Sequence, residues 1–146
     1  MNRKEFLITC GAVFAGGTIL SSLLQGCSTI KIVPGNLSGS DLFVPLESFE
    51  IKKESTETSG NVIIVRNEKL SYPICIYRLD DNNYSALLMK CTHQGTELQV
   101  FGKKLQCPAH GSEFDKHGSV TNGPASSHLR VFPVIIENKQ LKISLK

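Results

Sequence analysis

An all-β domain is the architecture the sequence predicts. Short runs rich in β-branched and aromatic residues succeed one another from residue 41 onward, turn-formers separate them, and no stretch after residue 40 keeps a helical period for three turns. The runs are LFVPLESFEI, NVIIVRN, YPICIYRL, YSALLMKC, LRVFPVIIEN and QLKISLK. Asp81-Asn82-Asn83 and Glu137-Asn138-Lys139 supply turns between neighbouring runs, and Asp115, Lys116 and Gly118 form another. Cys75 alternates with Tyr77 and Leu79 on one strand face, the pattern of a buried apolar thiol.

With 146 residues there is room for a single domain. A net charge of +3 and 20% charged residues, with Lys and Arg scattered rather than striped, exclude nucleic-acid binding as the reading of this composition. The apolar residues are unevenly placed. The longest apolar run, Phe6 to Leu24, carries no charge and lies directly behind Arg3 and Lys4, the layout of an export signal. Leu24-Gln25-Gly26-Cys27 resembles the lipobox of bacterial lipoproteins, which implies that Cys27 is lipidated and becomes the mature N-terminus. Asn2-Arg3-Lys4-Glu5-Phe6-Leu7 is similar to a twin-arginine signal, with Lys4 where a second Arg belongs. The alternative is that residues 6 to 24 stay as an uncleaved membrane helix, since they approach the roughly 20 apolar residues a span needs. Either way residues 1–27 predict an exported, membrane-anchored protein on the periplasmic or cell-surface side. Residues 28–40, rich in Ser, Gly, Pro and Asn, read as a flexible linker with a reach of roughly 20 Å, and residues 41–146 as the folded domain.

The cysteines carry the chemistry. Cys10 lies in the apolar leader and Cys27 is the lipid candidate, which leaves Cys75, Cys91 and Cys107 in the folded part. An odd number in an oxidising compartment is unusual. Two of the three sit beside histidines, in Cys91-Thr92-His93-Gln94-Gly95 and Cys107-Pro108-Ala109-His110-Gly111-Ser112. Each loop follows a strand and ends at a glycine, so backbone N–H groups can approach a bound group closely. Two thiolates and two imidazoles make four ligands. A structural zinc site is one reading, although zinc sites commonly take Cys pairs followed by His pairs. A redox or catalytic Cys–His pair is another, and it explains only one loop. His117 and His128 lie in polar turns with no partner spacing and read as solvated surface.

The two loops resemble the cluster-binding loops of Rieske 2Fe–2S domains. The resemblance spans roughly residues 41 to 146 and includes Gly123-Pro124-Ala125, similar to the family's proline loop over the cluster. It implies a Rieske-like antiparallel β-sandwich with a small cluster-binding subdomain formed by the two loops. It implies further that Cys91 and Cys107 bind one iron, that His93 and His110 bind the other, and that Ser112 hydrogen-bonds a bridging sulfide. The imidazoles at the loop tips would face solvent and hand electrons to a redox partner docking at the His93/His110 tip. Each keeps a free ring nitrogen, so reduction would favour protonation. Only 13 residues separate His93 from Cys107, with Phe101-Gly102-Lys103-Lys104 as a tight turn. Thr96 and Ala109 stand where the cytochrome bc type carries an additional disulfide, and Phe114 stands where that type has a Tyr. The expectation is therefore an exported, tethered single-electron carrier or relay subunit. The alternatives are a quinol-oxidising subunit of a respiratory complex and a zinc-binding interaction module.

Overall fold

The computed structural model describes residues 30–49 and 61–146. Cys27, and with it the lipidation and leader expectations, lies outside the described residues. Among the described residues no helix is long and apolar enough to cross a membrane. Thirteen strands form there, in chain order β1 (Lys31–Pro34), β2 (Asn36–Ser38), β3 (Asp41–Pro45), β4 (Val62–Arg66), β5 (Ile74–Arg78), β6 (Tyr84–Leu88), β7 (Gln99–Phe101), β8 (Lys104–Gln106), β9 (Glu113–Phe114), β10 (Val120–Asn122), β11 (Val131–Phe132), β12 (Val134–Glu137) and β13 (Gln140–Ser144). They make three sheets, in the orders β1-β4-β5-β6-β11, β12-β13-β3-β2 and β10-β9-β8-β7. The pairings are antiparallel except β1 with β4, which is parallel.

The five-stranded sheet is the middle layer, and β5 shows why. Its Ile74 and Ile76 enter one core with Leu42, Val44, Leu141 and Ile143 of the β12-β13-β3-β2 sheet. Its Cys75 and Tyr77 enter a second core with Leu98, Leu105 and Phe114 of the small sheet and its approaches. A strand covered on both faces reads as a continuous apolar run, and ICIY is that run. Cys75 is the buried thiol its alternation predicts. Burial pushes it up to about 12, the neighbouring Tyr77 hydroxyl offsetting only part, so it stays protonated and chemically quiet.

The predicted turns form. Asn138 and Lys139 both take positive φ (50° and 61°), the signature of a two-residue type I′ turn between β12 and β13. Between β7 and β8 only Gly102 does (φ 61°), the type II′ pattern. Asp115 organises the β9–β10 turn: its Oδ1 accepts from the N–H groups of His117 (2.8 Å) and Ser119 (2.9 Å).

Two expectations need correction. Residues 31–38, read as linker, are strand. Lys31–Pro34 pairs with β4 and Asn36–Ser38 with β3, so this segment bridges the two large sheets. Gly35 makes the crossing possible, because a Cβ there would come within 2.6 Å of the Leu42 and Val65 side chains. Its N–H donates to the Arg66 carbonyl (3.0 Å) and its own carbonyl accepts from Asn67 Nδ2 (2.9 Å). Ser, Gly, Pro and Asn mark a change of direction here, and an edge strand needs only one buried side chain, Val33, to be held. Prolines also cut two long runs. LFVPLESFEI stops as strand at Pro45 and continues as a 3-10 turn, Leu46–Phe49. LRVFPVIIEN splits at Pro133, which has no N–H for a ladder, so β11 and β12 belong to different sheets.

Candidate metal centre

Cys91 and Cys107 end up side by side because two loops of identical closure project from the same end of the small sheet. In each, the Cys N–H donates to the carbonyl five residues on (Cys91 to Thr96, Cys107 to Ser112, both 2.8 Å). In each, the glycine four residues on donates back to the Cys carbonyl (Gly95 to Cys91, 2.8 Å; Gly111 to Cys107, 3.0 Å). Both glycines sit at φ 77°, a left-handed conformation that costs other residues about 1–2 kcal/mol. The loops thus match in backbone although one places His two residues after Cys and the other three. That one-residue offset brings the rings together rather than in parallel: His93 and His110 lie 5.0 Å apart between centroids at an interplanar angle of 86°.

Burial separates the donors by type. Cys91 and Cys107 are 1% and 2% exposed within the second core, unbridged and within hydrogen-bonding reach of each other, whereas both histidines are exposed. Burial pushes the Cys107 thiol up, but the N–H groups of His110 and Ala109, followed by the Cys91 and Thr96 side chains, outweigh it and hold the thiol below its ordinary value. That environment favours a thiolate, the form that binds metal. Among the described residues no three His, Cys, Asp or Glu side chains converge on one point, as a single ion would require. A thiol pair at one end and an imidazole pair at the other fit a two-iron cluster, whose irons are ligated separately.

A third loop closes over both. Ser112 is fully buried, and its Oγ accepts from the Ala125 N–H (3.0 Å) beside the cis Gly123–Pro124 peptide. Because that oxygen is used as an acceptor, the hydroxyl proton remains available to a second group, the role expected of Ser112. Sequence reasoning found this loop but missed two stitches. Thr92 Oγ1 donates to the Ser127 carbonyl (2.6 Å), and Asn122 Nδ2 donates to the Gly111 carbonyl (3.1 Å). Nothing in a lone Thr or Asn marks it as a cross-loop donor; only their places beside Cys91 and Gly123 hint at it. Phe114 is fully buried in the same core. His117 and His128 are exposed, as expected, although His128 adjoins Ser127 and so borders the tip.

Ser112→Ala is expected to cost about 1–3 kcal/mol, because it leaves the buried Ala125 N–H without an acceptor. It is also expected to lower the midpoint potential by about 40 mV, equivalent to ~1 kcal/mol of lost stabilisation of the reduced state. Chemical denaturation reads the first effect and a potentiometric titration the second.

Residues 49–133 match the family model of the Rieske 2Fe–2S domain. Among curated proteins, the chain is 38% identical over 94 residues to the cytochrome b6-f complex iron-sulfur subunit of Synechococcus sp. (strain WH7803), covering 62% of this chain and 52% of that one. It is 37% identical over 76 residues to the oxygenase component of dicamba O-demethylase from Stenotrophomonas maltophilia, covering 45% and 22%. The chain therefore spans between about a fifth and about half the length of these relatives. Among solved structures, the cyanobacterial plasma membrane Rieske protein PetC3 from Synechocystis PCC 6803 superposes with a TM-score of 0.50 at 24% identity, over 57% of this chain and 86% of that one.

Proposed function

This chain belongs to the Rieske 2Fe–2S domain family, and from that premise we propose that it is an exported, membrane-tethered relay that passes single electrons between redox proteins. The Rieske domain carries one 2Fe–2S cluster, and the chain is a Rieske electron-transfer protein. Such a cluster, when bound, stores and releases one electron reversibly. In the proposed assignment the Cys91 and Cys107 thiolates hold the inner iron and the His93 and His110 imidazoles the outer one. The observation that carries the reading is the split in burial: both thiols are sealed in the core and both imidazoles stand in solvent. The exposed rings give an electron its exit, while the core keeps water from the sulfurs. Tethering rests on the Phe6–Leu24 run and the lipobox-like Leu24-Gln25-Gly26-Cys27.

Similarity to cytochrome b6-f subunits favours a second reading, a quinol-oxidising subunit of a respiratory complex. Three residues argue against it. Phe114 has no hydroxyl to donate to a ligand sulfur, and Thr96 and Ala109 cannot form a disulfide clamp. Fewer hydrogen bonds to the sulfurs leave the reduced state less stabilised, so the midpoint should lie toward the lower part of the roughly −150 to +300 mV Rieske range. Phe114→Tyr is expected to raise it by about 40 mV. An unchanged midpoint in a folded variant would show that the missing hydroxyl does not set the potential.

A potentiometric titration of the purified protein tests the proposal. A single one-electron wave in the low part of the range supports a relay; the absence of any reversible wave contradicts it. Mass spectrometry of the mature N-terminus tests the tether: a lipidated Cys27 start excludes the retained helix that a quinol-oxidising subunit predicts.

A further inference from the structure

The exposed residues of the three tip loops are Thr92, His93 and Gln94 from the first, Pro108, Ala109 and His110 from the second, and Gly123, Pro124 and Ser126 to His128 from the third. None is Asp, Glu, Lys or Arg, although one residue in five of the chain is charged. Charges flanking the tip are held along the sides. Lys90, whose stem runs beside Gly95, has its Nζ 5.2 Å from the Tyr72 ring centroid. Glu97 pairs with Arg66, and Glu113 with Lys104 (2.5 Å). Arg130 stacks 4.8 Å from the Phe132 ring centroid and donates to the carbonyls of Leu145 and Lys146. Among the described residues, then, the exposed faces of the three tip loops are uncharged, made of imidazoles, prolines and small polar residues.

We propose that the partner's contact face is likewise uncharged, made of apolar and neutral polar side chains, and that docking proceeds without electrostatic steering. The inference rests on the electron-relay reading above and names the partner chemistry that this tip fits. A charged partner face would have to shed its hydration against a surface that offers no counter-charge, a cost with no offsetting gain. A neutral one buries the prolines and rings at no such cost. Unsteered protein association runs far below the rates that complementary charge allows. A membrane tether makes up that deficit by raising the effective concentration of partners on the same surface.

Electron self-exchange between copies of this chain tests the proposal, because it presses tip against tip: one electron leaves a reduced copy and enters an oxidised one, with no atom transferred. The full-length protein, half-reduced in detergent, is followed by NMR line broadening as ionic strength rises from about 0.01 M to about 0.3 M. The expected change in rate is less than about twofold. Ser126→Lys places like charges on both contact faces and is expected to slow exchange about tenfold at low salt, with recovery at high salt. A steep rise with salt in the unchanged chain overturns the proposal, because the net charge of +3 would then be acting at the contact. So does a Ser126→Lys variant that exchanges like the unchanged chain, or exchange too slow to detect at every salt concentration. If the reduced protein shows no rhombic EPR signal, the cofactor reading has failed; a normal signal with steep salt dependence sinks this inference alone.

Discussion

Cys107→Ser is expected to yield colourless protein with iron content reduced more than about tenfold. Cys107 supplies one of only two soft donors at the inner end of the site, and a serine oxygen is a poor ligand for iron–sulfur chemistry. The side chain is 2% exposed and its surroundings favour a thiolate, so no water or neighbouring carboxylate can stand in for it. Its backbone also closes the second loop through the Ser112 carbonyl and the Gly111 N–H. Metal binding and loop order are coupled, so the variant should also melt earlier than the loaded protein. Cys75→Ala is the control. That thiol lies in the same core but is pushed up to about 12 by burial and belongs to no loop. It should keep full iron content while losing about 1–2 kcal/mol of stability from the small cavity. Absorption spectra with iron analysis separate the two variants.

Phe114→Ala is expected to destabilise the loaded protein by about 3–5 kcal/mol, the range for truncating a buried aromatic. Phe114 is fully buried, and its strand β9 has only two residues, pairing with Leu105 on one side and Val120 on the other. The ring therefore helps, with Leu98 and Leu105, to fasten the small sheet to the middle layer. Phe101→Ala provides the contrast: the same residue type, 63% exposed at the β7–β8 turn, should change stability by no more than about 0.5 kcal/mol. Urea denaturation followed by circular dichroism measures both. Equal effects would mean that the small sheet is held by its loops and not by its core.

The site was far more legible in the sequence than the layering. A Cys-x-His and a Cys-x-x-His loop, each closed by a glycine, mark a candidate metal site through residue type, although only the family resemblance points to a two-iron cluster, and the structure brings both loops to one end of the small sheet. The glycine spacing even foretells the matched closure, since it is four residues from the cysteine in both loops. What stayed hidden depends on three-dimensional neighbours. That β5 is covered on both faces is visible as ICIY, but a short apolar run does not say which residues cover it. Lys31 to Ser38 read as linker because an edge strand with one buried valine resembles loop composition, and only Gly35 against Leu42 and Val65 reveals the crossing. Thr92 and Asn122 carry no local mark of their cross-loop hydrogen bonds, since such donors are defined by partners 35 and 11 residues away.

The central claim is that Cys91, His93, Cys107 and His110 together bind a two-iron cluster. Metal and sulfide analysis combined with EPR of the dithionite-reduced full-length protein tests it most directly. The account predicts iron and inorganic sulfide in equal amounts, a red-brown colour, and a rhombic signal that vanishes in Cys107→Ser. Colourless protein from iron-replete cells, holding zinc without sulfide and silent by EPR, would contradict it.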